Sequence, residues 1–158
     1  MTTLNKKYEL LTTDTKQYGG YTLYRIRALV SFDSVVTGEL GGYIEKESNL
    51  SHEGNAWVSG NARVSGNAEV SGDAAVYGDA EVANRSHWLS IGPAKSSGRF
   101  TTAYKDTKLG VRVVCGCFTG TVKEFSDQIE KTHKDNKEYL EQYRLFCQLI
   151  AFNFGVEQ

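Results

Sequence analysis

Between Asn55 and Asn84 the chain repeats itself every six residues: Asn-Ala-Trp-Val-Ser-Gly, Asn-Ala-Arg-Val-Ser-Gly, Asn-Ala-Glu-Val-Ser-Gly, Asp-Ala-Ala-Val-Tyr-Gly and Asp-Ala-Glu-Val-Ala-Asn. Five consecutive matches are not accidental, and a fixed short period limits the possible folds more than any other sequence feature. Val58, Val64, Val70, Val76 and Val82 recur, each preceded two residues earlier by Ala56, Ala62, Ala68, Ala74 or Ala80. A β-branched residue alternating with a small one fits a short strand whose inward positions are Ala and Val. Gly60, Gly66, Gly72 and Gly78, each followed by Asn or Asp, supply the turns. Glycine takes positive φ without steric cost, and Asx side chains bond the local backbone. With 16 glycines and a single proline, Pro93, the chain must build most of its turns this way.

A six-residue strand and turn cannot close a core alone, so successive units must stack. The pattern resembles the hexapeptide repeat of left-handed parallel β-helices, in which three hexads make one triangular coil. The expected fold class is mainly β with C-terminal α. Capping strands over residues 1–37 precede a short left-handed parallel β-helix over 38–84, and an α+β module with two helices fills 85–158. Three hexads per coil place residues 18 apart side by side at about 4.8 Å. Val76 then lies on Val58 and Val82 on Val64 inside, with Glu81 beside Arg63, Ala75 beside Trp57 and Tyr77 beside Ser59 outside. Ile44 and Leu50 extend the phase backwards, but Leu50 to Val58 is eight residues, so two extra residues interrupt the first coil around Ser51-His52-Glu53-Gly54.

The outward neighbours distinguish the faces. Arg63 and Glu81 make a solvated pair worth under about 1 kcal/mol. Trp57 and Ala75, with Tyr77 at the next corner, form an apolar face that reads either as the interface of a homo-oligomer or as a seat for the chain's own C-terminal segment. Before the repeat, Tyr8-Glu9-Leu10 and Tyr24–Val30 read as strands that cap the first coil's open edge. After it, strands are expected over Ser86–Gly92, Phe100–Tyr104 and Val111–Phe118, separated by the polar loop Pro93–Arg99. Thr121 with Glu124 is a capping-box pattern ahead of a helical stripe of Val122, Phe125 and Ile129. His133–Asn136 breaks this helix. Asp135 with Glu138 marks a second start, followed by Tyr139, Tyr143, Phe146, Cys147, Ile150 and Phe154 at helical spacing.

The 158 residues suffice for one domain or two small ones. Eighteen basic and 19 acidic side chains leave a net charge of -1, which argues against general nucleic-acid binding, because displacing counterions needs a surplus of cations. No run of about 18 apolar residues is present and Met1–Lys7 lacks the apolar stretch of a signal peptide, so no membrane association and a cytoplasmic location are expected. Three cysteines make no disulfide framework. Cys115 and Cys117, two apart on an expected strand, read as a small apolar pair on one face.

No catalytic residue, metal site or cofactor is expected. Hexapeptide β-helices include acyltransferases, but His52 and His87 fall outside the regular hexads and the hexads are few. Gly92–Arg99 has the spacing of neither a P-loop nor a dinucleotide fingerprint. Its amides, hydroxyls and cations nevertheless suit a phosphate. The candidate ligand-binding set is therefore Lys95, Ser96, Ser97, Arg99 and Arg112 for an anion, Trp88, Tyr104 and Phe118 for a stacked ring, and His133 as a further contact.

The segments Tyr24-Arg25-Ile26-Arg27-Ala28-Leu29, Gly38-Glu39-Leu40-Gly41-Gly42-Tyr43-Ile44-Glu45 and Asn49-Leu50-Ser51, together with the Ala-x-Val hexads, resemble small phage and prophage proteins. Gly116-Cys117-Phe118-Thr119-Gly120-Thr121 and Thr132-His133-Lys134-Asp135-Asn136 look like a module that recurs in phage proteins, with Lys134 standing where a glycine is expected. The resemblance implies origin and fold, not a catalytic residue. The resulting expectation is an oligomeric, non-catalytic phage accessory protein, a trimer or a multiple of one, in the host cytoplasm. Such a protein would serve as a sponge for a nucleotide signal of host defence. An acyltransferase-like enzyme and a virion or scaffold component are the alternatives.

Overall fold

A computed structural model describes residues 5–158; the first four positions of the expected capping segment lie outside the described residues. The chain divides into two compact units, Met1–Arg85 and Ser86–Gln158.

In the first unit a long hairpin, β1 (Tyr8–Tyr18) and β2 (Tyr21–Ala28), turns at Gly19-Gly20 and is followed by β3 (Leu40–Ile44). The hexads contribute only two-residue strands: β4 (Trp57–Val58), β5 (Arg63–Val64), β6 (Ala75–Val76) and β7 (Glu81–Val82). One sheet has the order β1-β2-β3-β5-β7, antiparallel from β1 to β3 and parallel from β3 to β7; β4 and β6 form a separate parallel pair.

The expected parallel β-helix is therefore corrected. The described strands form mixed and antiparallel sheets, with no closed or solenoid sheet. Each hexad spends four of its six residues on turn and corner, leaving strands too short to run on. The hexad Asn67–Gly72 yields only an isolated bridge, Leu50 to Val70. The hairpin also enters the sheet antiparallel, with Tyr24 opposite Ile44. The expected register nevertheless holds: Trp57 pairs with Ala75, Val58 with Val76, Arg63 with Glu81 and Val64 with Val82, all 18 apart. Across the insertion the offset becomes 20, as in Tyr43 with Arg63 and Leu50 with Val70. The inward assignment holds as well, since Ala56, Ala62, Ala68, Ala74 and Ala80 and the five valines of the repeat are buried.

Of the expected outward apolar face, Trp57 is covered within the chain. Trp57 is buried against its own N-terminal segment, its ring meeting Phe32 edge-on at 5.4 Å and Tyr8 at 6.4 Å. Ala75 is exposed and Tyr77 half-buried.

The second unit is a four-stranded antiparallel sheet, β11-β10-β9-β8, with two helices. Its strands are β8 (Trp88–Ile91), β9 (Thr101–Asp106), β10 (Gly110–Cys115) and β11 (Phe118–Gly120). Helix α1 (Val122–Thr132) starts on the expected capping box: Thr121 Oγ1 accepts from Glu124 N, and the Glu124 carboxylate accepts from Thr121 N at 2.8 Å. Helix α2 (Lys137–Phe154) is capped by Asn136, whose Oδ1 accepts from Tyr139 N at 3.0 Å, one residue after the expected Asp135. Val122, Phe125 and Ile129 of α1 join Tyr143, Phe146, Cys147 and Ile150 of α2 over Ala103, Val111 and Val113 of the sheet. Burial pushes the Cys147 thiol up to about 11, so this cysteine is an inert apolar filler.

Candidate functional site

The loop after β8 folds back on itself at Ala94, which is buried and exchanges backbone bonds with Arg99 and Gly98. The loop's polar side chains are thereby held beside the β10–β11 turn. That turn is Gly116-Cys117, with Gly116 at φ 58°. A Cβ at Gly116 would stand 2.4 Å from the Arg99 guanidinium, so glycine is what lets Arg99 lie across the turn. Only Cys115 belongs to the strand; Cys117 sits exposed in the turn, which corrects the reading of a paired apolar face. Thr101 Oγ1 donates to Cys115 Sγ at 3.3 Å.

Helices supply the other side. His133 ends α1, its amide donating to the Ile129 carbonyl, and its ring stacks on Tyr143 with centroids 5.0 Å apart and 12° between planes. Tyr143 OH lies 3.0 Å from Ser96 Oγ, tying the loop to α2. Phe125 stands edge-on to Tyr143 at 6.0 Å and tilted against Phe118 at 5.1 Å. Between these groups is a cavity of about 300 Å³. Its rings are Phe118, Phe125, His133 and Tyr143; Arg99 is its cation; Ser96, Ser97, Gln128 and Thr132 add polar groups. Among the described residues no carboxylate lines it, so its electrostatic bias is toward an anion.

Five of the nine expected ligand residues, Ser96, Ser97, Arg99, Phe118 and His133, meet at this cavity. The other four do not line it. Lys95 pairs with Glu138, which holds its ammonium pKa above the ordinary value, and its amide donates to Gln142. Tyr104 is fully buried in β9, opposite the half-buried Trp88 on one side and Arg112 on the other. Arg112 Nε donates to Asp106 at 2.8 Å, and Lys108 N and Leu109 N complete the carboxylate's shell. Burial pushes Asp106 up, but the Arg112 bond and the two amides outweigh it and hold the carboxyl below its ordinary value. That ion pair fastens the β9–β10 hairpin.

Sequence reasoning missed Phe125, Gln128, Thr132 and Tyr143 as cavity residues. The aromatics were read as core, which they are on one side. No periodic signal marks a ring that is core on one edge and cavity wall on the other.

A larger cavity of about 450 Å³ lies in the first unit, lined by Lys46, Ser48, Asn67, Glu69 and Arg85 among others. It has no aromatic wall, and Glu69 offsets one of its two cations, so it offers less for recognition. Among the described residues no group of three or more His, Cys, Asp or Glu could hold a metal, and no helix is long and apolar enough to cross a membrane. No family model matches the chain, and no curated protein matches it.

Proposed function

We propose that this chain is a small non-catalytic binding protein that holds an anionic, ring-bearing ligand in the cavity of its second unit. The carrying observation is that Arg99 and four aromatic rings line one cavity with no carboxylate among its described residues. A guanidinium binds phosphate oxygens bidentately, while ring faces take a planar base. A volume of about 300 Å³ is at the small end for ligand pockets, so one base enters and its phosphates stay at the mouth, beside the exposed Arg99 and the Ser96 and Ser97 hydroxyls.

With the resemblance to phage accessory proteins, the reading is sequestration of a host nucleotide signal in the host cytoplasm by a homo-oligomer. The acyltransferase and virion alternatives were argued from a parallel β-helix and lose that basis with it.

Isothermal calorimetry with adenine mononucleotides, ADP-ribose and cyclic dinucleotides tests the reading. Arg99→Ala weakens binding by about 1.5–3 kcal/mol, roughly 10- to 150-fold, the value of a charged hydrogen bond. Lys95→Ala, already paired with Glu138 outside the cavity, leaves affinity within twofold. Absence of heat from the whole panel would refute nucleotide binding.

A further inference from the structure

The cavity of the second unit carries two nucleophilic side chains that the reading above does not use. Cys115 and Cys117 both line it, together with Arg99 and the rings of Phe118 and Phe125. The two sulfurs differ in their surroundings. Cys115 ends β10, is half-buried, and its Sγ accepts the Thr101 hydroxyl at 3.3 Å. Cys117 stands exposed in the β10–β11 turn, and among the described residues nothing bonds its sulfur. The third cysteine, Cys147, is shut in the core with its thiol pushed up to about 11. Cys117 is therefore the sulfur that a reagent entering the cavity meets.

The charge beside it selects the reagent. Arg99 lies across the same turn, so that a Cβ on Gly116, the residue before Cys117, would stand 2.4 Å from its guanidinium. The backbone of Arg99 is bonded to Ser97 Oγ and to the Ala94 amide, but its guanidinium has no ion pair among the described residues. No carboxylate lines the cavity to offset it. In thiol–disulfide exchange the leaving thiolate is an anion, and so is any carboxylate that the reagent carries. A fixed, uncompensated guanidinium draws both.

We propose that Cys117 is an exchange site for small disulfides bearing carboxylates, and that the half it retains occupies the cavity with its carboxylate on Arg99. Cys117 gives its proton to water, and its sulfur attacks one sulfur of the disulfide. The bond to Cys117 Sγ forms as the S–S bond of the reagent breaks, and the electron pair leaves with the other half as a thiolate, which takes up a proton. Cys117 is oxidised to a mixed disulfide and the released half is reduced to a thiol. The proposal rests on the anion bias that carries the reading above and adds the regulation of that site. Adduct and anionic ligand claim the same Arg99, so an oxidised thiol pool closes the cavity and a reduced one reopens it.

Stopped-flow kinetics on the full chain test this with dithiobis(nitrobenzoate), an anionic disulfide, and dithiodipyridine, a neutral one, each rate being divided by that of free cysteine. The wild type then favours the anionic reagent by about tenfold, the lower end of what a site of one charge sign gives, and fragment mass spectrometry finds the first adduct on Cys117. Arg99→Gln returns the preference to that of free cysteine. Arg99→Lys keeps part of it, which guards against a folding defect, and Lys95→Ala, whose charge is paired with Glu138 outside the cavity, keeps all of it. A first adduct on Cys115 or Cys147, a wild type no more selective than free cysteine, or a preference untouched by Arg99→Gln overturns the proposal. The rates need no nucleotide, so a calorimetric panel without heat refutes the ligand reading and leaves this site standing, whereas a lost preference refutes this site alone.

Discussion

Lys7 is a buried ammonium with no counter-ion among the described residues, and its cost can be read from the pH dependence of stability. The residue is 3% exposed. Its Nζ donates to the carbonyls of Ala56 at 2.7 Å and Gly54 at 3.3 Å and lies 4.9 Å from the Phe32 ring centre; no ion pair with a carboxylate is found among the described residues. Burial lowers its pKa from 10.5 to about 8. Between those two values the unfolded chain binds more protons than the folded one, so stability rises with pH across that window. Below pH 8 the full penalty stands. Linkage over the shift makes the protein about 2 kcal/mol more stable at pH 9.5 than at pH 7.5 through this group alone. Urea midpoints of wild type and Lys7→Met at both pH values isolate the effect, because other groups titrating in the interval cancel in the difference. The wild type gains on the variant as pH rises. Tyr8, whose phenol is pushed up by burial, has the opposite sign and erodes stability only above about pH 10. If both proteins shift in parallel between pH 7.5 and 9.5, Lys7 is not held charged in an apolar site, and the packing of β1 on the Ser51–Ala56 loop is misread.

Three further outcomes follow from packing. Val70→Asp places an unpaired carboxylate at a fully buried position and costs several kcal/mol in a thermal or urea melt, whereas Glu69→Lys at the exposed neighbour changes stability by under about 0.5 kcal/mol. Gly66 and Gly72 share positive φ, but a Cβ at Gly66 would meet the Ala83 carbonyl at 2.3 Å and one at Gly72 would meet nothing within 4 Å. Gly72→Ala therefore costs about 1 kcal/mol and Gly66→Ala at least 1 kcal/mol more; equal losses would refute the close approach. Asp106→Ala strips Arg112 of its carboxylate and costs about 3 kcal/mol at pH 7. Asp106 is a depressed carboxyl, so its contribution is lost as pH falls through its folded pKa, and the gap between wild type and variant closes below about pH 4.

The repeat made the inward and outward positions of residues 55–84 legible, and the three-hexad coil implied by the resemblance supplied which residues stand beside each other. Val58 opposite Val76 and Arg63 opposite Glu81 follow from that spacing of three hexads. The architecture built from those pairs was not legible. Whether short parallel pairs continue as a coil depends on what takes the open edge, and here β2 takes it antiparallel through the Tyr24–Ile44 pair. Tyr24–Val30 reads as a strand in isolation, but nothing in its alternation states the direction in which it will pair.

Periodicity also says which way a side chain points without saying what comes to lie over it. Trp57 does point out from its strand, as its place in the hexad requires. It is nonetheless buried, because Phe32 and Tyr8 arrive from 25 and 49 residues upstream. The candidate cavity has the same origin: Arg99 reaches it by crossing Gly116, and Ser96 by bonding Tyr143, 47 residues away. Composition could place cations and hydroxyls in the Pro93–Arg99 loop, but it could not tell Arg99 at the cavity from Lys95, four residues earlier and bound to Glu138. What separates the two is the turn at Ala94 and Gly98, which aims Lys95 along α2 and Arg99 across the β10–β11 turn.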